Sequence, residues 1–333
     1  MARSDLLKRL FGAYTRGDDG AFRAVATEII EDERRKRHGL LADELRHALS
    51  RDDRRPGARD PLIMHELPKD RDDRRLLSLS KPVKEMDDLV LTPMVRELLF
   101  ELVEENRSRA LLSAYALRPR QRLLFVGASG TGKSTSAHAL AAELSLPVAT
   151  VSLAALTSSY LGETGRNVES IVRFAEMTPC VLLFDEFESV GTERGKGTDH
   201  GELRRVVASV LQLMEQMQGE SLFVATSNHP ALLDTAIMRR FDEVVGFGRL
   251  DVPAIAELIR LKLQAAPNKV GAARWAAQLE LRSPADVEAI CRDALRRWVL
   301  SGTPVLTDAQ FAMAVARMDG RSTALQSSGA TTL

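Results

Sequence analysis

A short apolar run, RLLFVG (122–127), passes straight into GASGTGKS (127–134) and then into a helix-compatible stretch beginning at Lys133. That junction constrains the fold more than any other part of the chain. The eight residues fit G-x-x-x-x-G-K-[ST], and the match carries weight because it follows a strand and opens a helix. Glycines let the backbone curl until several N–H groups converge on one centre, and the helix behind them adds the positive end of its dipole. The candidate phosphate-binding residues are therefore Gly127, Ala128, Ser129, Gly130, Thr131, Gly132, Lys133, Ser134 and Thr135. Lys133 is placed to reach terminal phosphates and Ser134 to ligate Mg2+, a hard cation that keeps several of its waters. The loop alone implies nucleotide binding; a small-molecule kinase would carry it as readily as a hydrolase.

Two further apolar runs separate these cases. VLLFDE (181–186) ends in adjacent carboxylates, Asp185 and Glu186. Two acids at the end of a buried strand serve stability poorly, but they suit a metal ion and an attacking water, with Asp185 toward the magnesium and Glu186 as the group that polarises the water. SLFVATSN (221–228) ends in small polar residues. In a parallel sheet all C-terminal strand ends share one edge, where ligands bind, so Asn228 is expected beside the terminal phosphate. LDTAIMRRFDEVVGF (233–247) carries Arg239 and Arg240 side by side. A guanidinium stabilises the charge that builds up in phosphoryl transfer, and this segment's place after the last strand-end helix suggests that it serves a neighbouring subunit.

Around these motifs, apolar strands alternate with amphipathic helices, which predicts an α/β fold with a doubly wound parallel sheet over residues 86–250. After Pro253 the strands stop, and three or four helices over 251–320 form a helical lid. Residues 1–50 are read as a small helical bundle, with Phe22, Val25, Ala26, Ile29 and Ile30 on one helix face and Asp18 or Asp19 as the cap. Residues 51–85 carry RDDRR twice among several prolines and are expected to be a charged linker. The tail, 321–333, is small and polar and is expected to be disordered.

Composition narrows the function further. With 46 basic and 46 acidic residues the formal net charge is zero, so the chain as a whole offers no basic field to nucleic acid or anionic lipid. Its two cysteines, Cys180 and Cys291, lie in apolar surroundings, as expected of core thiols in a reducing cytoplasm. No run approaches the ~20 apolar residues that cross a bilayer, and no export signal is evident at the N-terminus.

With GASGTGKS, VLLFDE, VATSN, LDTAIMRRFD and SPADVEAICRDA in this order, residues 86–318 resemble AAA-type ATPases in the narrow sense. The resemblance implies ATP hydrolysis with Mg2+ by a P-loop domain and lid, in a homo-oligomer that is usually a hexameric ring with nucleotide held between neighbours. It implies that Leu89 and Ala285 line the nucleotide pocket, with Pro284-Ala285 standing where relatives have a Gly-Ala pair facing adenine. The chain departs from the common pattern at Ala128 and Ser129 (usually two prolines), at Ser134 (usually threonine), and in the adjacency of its arginines. Tyr160-Leu161-Gly162, within TSSYLGETG, matches the aromatic-hydrophobic-glycine loop that lines the ring's pore. An aromatic grips polypeptides of any sequence without specific hydrogen bonds. A second loop, from Gly191, is also expected to face the pore. The N-terminal helices and the MRRFDEVV spelling resemble stand-alone bacterial members, some of which accompany a subtilisin-like serine protease.

The expectation is thus a cytoplasmic ring motor that remodels a protein substrate, with an associated protease among the partners to consider. The alternatives are a nucleic-acid-directed ATPase, for which no basic stripe, stacking surface or helix-turn-helix is found, and a slow nucleotide-dependent switch.

Overall fold

The computed structural model describes residues 9, 12, 24–30, 66–82, 84–152, 161–187, 210–217, 219–233 and 235–329. The chain divides into two compact units, Met1–Ile63 and Met64–Leu333. In the first unit, residues 24–30 are helical and bury Val25 and Ile30, as the apolar spacing predicts. Arg9 pairs with Glu28 at 2.9 Å across this unit. Asp18, Asp19 and Phe22 lie outside the described residues.

The second unit is built on a six-stranded sheet in the order β1-β3-β4-β5-β2-β6. The strands are β1 (Leu77–Ser80), β2 (Arg122–Gly127), β3 (Val148–Val151), β4 (Val181–Phe184), β5 (Leu222–Ser227) and β6 (Glu243–Phe247). Five of them run parallel. β1 pairs antiparallel with β3, with Leu77 opposite Val151, so the sheet is mixed. The expected linker is therefore partly sheet. Its second RDDRR is a turn in which the Asp70 carboxylate accepts from the amides of Asp72 and Arg74, a local bond that aspartate makes readily. The turn delivers Leu76 and Leu77 into the core. The charges of residues 71–75 are the exposed turn that leads into this edge strand, and the first RDDRR lies outside the described residues.

The central strands are covered on both faces. Leu123 and Phe125 of β2 enter one core cluster, and Leu124 enters the other. Val181 and Leu183 of β4 likewise oppose Leu182 and Phe184. Successive side chains of a strand point to opposite faces, so continuous apolar runs are what a doubly covered strand requires. One face is packed by α1 (Pro93–Arg107) and α3 (Lys133–Glu143), the other by α4 (Leu161–Met177) and the helical residues 210–216. α1 starts behind Thr92 with proline at its first turn and buries Val95, Leu99, Leu102 and Val103, one stripe at helical spacing. The single helix expected from Pro93 onward breaks at Ser108, and α2 (Arg109–Ala114) follows.

The helices expected to form a lid are α6 (Val252–Leu263), α7 (Ala272–Gln278), α8 (Pro284–Ser301) and α9 (Asp308–Gly329), which follow the short α5 (Thr235–Met238). Ile255, Ile259, Trp275, Val287, Ile290 and Phe311 form its own core. Ser283 and Asp286 cap α8 reciprocally, and Gly302 ends it in the left-handed conformation at φ 65°. α9 runs to Gly329, past the point where a disordered tail was expected. After Asp308 no proline interrupts the segment, and Gly320 alone is too weak a breaker to end it.

Candidate nucleotide site

Because β2, β4 and β5 are parallel, their C-terminal ends open on one edge. β5 is the hinge of this arrangement: Ser227 is in register with Val126, and Ala225 with Phe184. Gly127, Asp185 and Asn228 therefore emerge side by side. The chain leaves β2 toward β3 on one side and later crosses to β6 on the other, which places the edge of β2 at the switch point where such sheets bind ligands.

The loop between β2 and α3 curls through glycine. Gly130 has φ 76° and Gly132 φ 101°, values that side-chain-bearing residues rarely adopt. Gly132 is also the N-cap of α3. Lys133 folds back across the loop. Its ammonium donates to the carbonyls of Gly127 and Ala128 and to Asn228 Oδ1, each at 2.8 Å. Thr131 ties the loop with a 2.8 Å bond to Ala128 O. Ser134 Oγ donates to Asp185 Oδ1 at 2.8 Å.

Thr226, which the sequence reading left unassigned, joins the two acids. Its hydroxyl donates to Asp185 Oδ1 at 2.5 Å and accepts the Glu186 amide at 3.0 Å. Glu186 itself sits at φ 53°, the left-handed region, where a residue with a Cβ carries strain. Asp185 reaches Ser134, and both acids line the cavity at this strand end. Only the two hydroxyls, Thr226 and Ser227, that end an otherwise apolar strand marked this position, and many turns look the same.

Gly130, Thr131, Gly132, Lys133, Ser134, Asp185, Glu186 and Asn228 line a cavity of about 300 Å³ together with Ser129, Thr135, Leu89 and Ala285, whereas Gly127, Ala128 and Thr226 are not part of its lining. Val90, Leu258 and Pro284 also line the cavity, together with the ion pair of Lys262 and Glu288. Lys262 was not anticipated. It donates to the Asp88 carbonyl at 3.2 Å and so ties the lid to the segment preceding α1. Burial pulls its ammonium below the ordinary lysine range, and Glu288 opposes that shift. The lid also touches the phosphate loop directly. The Ala285 amide donates to Gly130 O at 3.0 Å, and a Cβ on Gly130 would meet Ala285 Cβ and Ser283 Oγ at 2.9 Å.

The donor set fits a magnesium nucleotide. Ser134 and Asp185 offer hard oxygens on adjacent elements, and the left-handed glycines leave room for anionic oxygens against the start of α3. Among the described residues no cluster of three or more His, Cys, Asp or Glu could hold a metal without help, so the remaining ligands would be phosphate oxygens and water.

The structure does not bring Arg239 and Arg240 to this cavity. They precede β6, whose register pairs Glu243 with Leu123 and Phe247 with Gly127. The four steps of β6 span roughly 13 Å, longer than an arginine side chain, and both arginines lie beyond its far end. Arg240 pairs with Glu215 at 3.2 Å; Arg239 is exposed and makes no ion pair among the described residues. Of the expected pore-loop residues, Tyr160 lies outside the described residues. Leu161 and Gly162 are the first two residues of α4, where a loop was expected. The segment from Gly191 also lies outside the described residues.

Residues 123–249 match the model of the ATPase family associated with various cellular activities, AAA. An uncharacterized AAA family ATPase, y4kL, from Sinorhizobium fredii is 36% identical over 311 residues, covering 93% of this chain and 94% of its own length. The chain belongs to the AAA family of ATPases. More distant AAA relatives include the peroxisomal ATPase PEX6 of Penicillium chrysogenum, 34% identical over 224 residues, of whose length the chain spans only 15%. The proteasome-activating nucleotidase of Methanococcus vannielii is 27% identical over 292 residues, which is 81% of this chain and 70% of the relative. AAA ATPases bind ATP, generally with Mg2+. Among the described residues of this one, no helix is long and apolar enough to cross a membrane.

Proposed function

We propose that this AAA ATPase is a homo-oligomeric ring motor, by family habit a hexamer, that hydrolyses ATP between subunits to remodel a protein substrate. The carrying observation is the separation of Arg239 and Arg240 from their own cavity by the length of β6. Among the described residues this cavity is lined by a cradle, a lysine and two carboxylates but by no guanidinium; in this reading a second copy completes it with these arginines, which lie at the other end of the strands.

In this reading Lys133 exchanges its carbonyl partners for the β- and γ-phosphates, and Asn228, already bonded to Lys133, orients the attacking water. Glu186 takes that water's proton. Ser134 and Asp185 hold Mg2+, which when bound neutralises charge on the phosphates. Leu89, Val90, Leu258 and Ala285 enclose the flat base, and Lys262 and Glu288 close that end.

Tyr160-Leu161-Gly162 immediately precedes and opens α4, whose other end leads to β4 and the two carboxylates. That connection favours a loop that moves with the nucleotide state, and an aromatic in it favours a polypeptide as the load. A relative named for activating the proteasome agrees with a protein substrate, and a protease is accordingly a partner to look for. The test is capture by the Glu186→Gln variant in ATP, followed by identification of what is retained, alongside Tyr160→Ala. The expected result is a retained protein that Tyr160→Ala no longer remodels while ATP turnover persists. Retention of DNA or RNA, with turnover stimulated by it, would replace this reading with a nucleic-acid-directed one.

A further inference from the structure

The residues that follow the two arginines are pinned more firmly than a surface turn requires. Asp242 lies at the surface, but its side chain is only 23% exposed; it accepts the amides of Gln121 and Arg122 at 3.0 and 2.9 Å, while the Arg122 guanidinium closes on the same carboxylate. Its own amide donates to Arg122 O at 2.8 Å. One side chain thus fastens the end of the arginine turn to the start of β2, the strand whose other end is the phosphate loop.

Phe241 is the second anchor. It is buried, stacks on Phe223 at 5.8 Å with the rings 20° apart, and meets Phe187 edge-on at 6.4 Å. Phe187 directly follows Glu186 and is itself edge-on to Phe184, which precedes Asp185. The same aromatic cluster therefore packs against both the strand end that bears the carboxylates and the turn that bears the arginines. Between the anchors and α5 the backbone is a tight helical turn, with Arg239 N bonded to Thr235 O and Arg240 N to Ile237 O at 3.1 Å. Ile237 holds that side in the core.

We propose that Asp242 is a positioning residue for hydrolysis in the adjoining subunit: with Phe241 it fixes the turn from which Arg239 projects, so that the guanidinium is presented already oriented. This inference rests on the reading of the arginines as trans-acting. Orientation is where such an anchor matters, because a misplacement of about 1 Å at a reacting centre can cost about 10²-fold in rate.

Asp242→Asn keeps the shape and the acceptor but loses the charge that holds Arg122. The milder Arg122→Gln removes the side-chain half of the clamp and leaves both amides on Asp242. Each variant, and Arg239→Ala/Arg240→Ala as reference, is assayed alone for binding of a fluorescent ATP analogue and for turnover, and again in equal mixture with Glu186→Gln. The expected result is near-parental nucleotide affinity with kcat lowered by about 10²-fold for Asp242→Asn, less for Arg122→Gln. Turnover should return in the mixture, where Glu186→Gln subunits lend intact arginines to sites that still own Glu186. A merely structural role would not be rescued by a partner defective at a different position. Parental turnover by Asp242→Asn, or loss of nucleotide binding, overturns the proposal. So does failure of both anchor variants to recover in mixtures where the double arginine variant does. If the double arginine variant hydrolyses normally, or is not rescued, the trans reading falls and this inference with it.

Discussion

Arg239 and Arg240 are neighbours in sequence but not in circumstance. Arg240 is partly spent on Glu215, an ion pair with both side chains more than a third exposed, worth little to stability yet enough to bias its direction. Arg239 carries no such tether among the described residues. Arg239→Ala is therefore expected to lower kcat by roughly 10³-fold or more, with Arg240→Ala costing less, both at unchanged ATP affinity; single-turnover assays on assembled protein would measure the difference. Asp242 supplies a second prediction at this scale. Burial would raise its carboxyl pKa, but the hydrogen bonds from Arg122 and from the two amides outweigh burial and hold it below the ordinary carboxylate value. A depressed folded pKa contributes stability that is present above the unfolded value, about 3.9, and is lost as pH falls through the folded one. Thermal melts between pH 7 and pH 3 should show the parent losing stability below about pH 4, and Asp242→Asn should lack that part of the acid sensitivity. The cysteines should be silent throughout: burial pushes the Cys180 thiol up to about 11 and the Cys291 thiol up to about 12. A thiol reagent should therefore react with neither until the protein is denatured.

At the scale of elements, the contact between the lid and the phosphate loop is the most exposed to test. A methyl group at Gly130 would meet Ala285 and Ser283 inside van der Waals distance and would sit on a backbone at φ 76°. Gly130→Ala is expected to leave the melting profile of the core nearly intact and to weaken ATP binding by about tenfold or more, the equivalent of roughly 1.4 kcal/mol, read by titration calorimetry. The elements also show what a sequence can and cannot declare. β2, β4 and β5 were legible because strands buried on both faces must be continuously apolar, and a glycine loop, two acids and an asparagine at their ends announced one edge. β1 was not legible. Four residues between a charged turn and Pro82 carry too little pattern, and only pairing with β3 makes them a strand. β6 was hidden for a similar reason, since GluValValGly is half-exposed at the opposite edge. Thr226 and Lys262 escaped because their roles arise from partners 41 and 174 residues away, a hydroxyl on Asp185 and an ammonium on the Asp88 carbonyl.

For the whole molecule, the proposed completion of the site by a neighbour would couple the state of the cavity to assembly through ligand linkage. To whatever degree a neighbour's contacts raised nucleotide affinity in the oligomer, nucleotide would favour the oligomer to the same degree. Lys133→Ala, which removes the cation bridging the loop and Asn228, is expected to abolish ATP-dependent assembly. Glu186→Gln, which leaves the cradle whole, should accumulate the assembled state in ATP. Mass photometry of both variants with and without nucleotide would decide; identical mass distributions for the two would contradict this coupling. The hydrogen bond from the Ala285 amide to Gly130 O adds a consequence of its own. The lid is hydrogen-bonded to the loop proposed to grip phosphate, so emptying the cavity would be expected to carry the lid with it. In any closed assembly of such units, chemistry at one station would leave as a change of angle, and angle is a quantity that neighbours in a ring have to share.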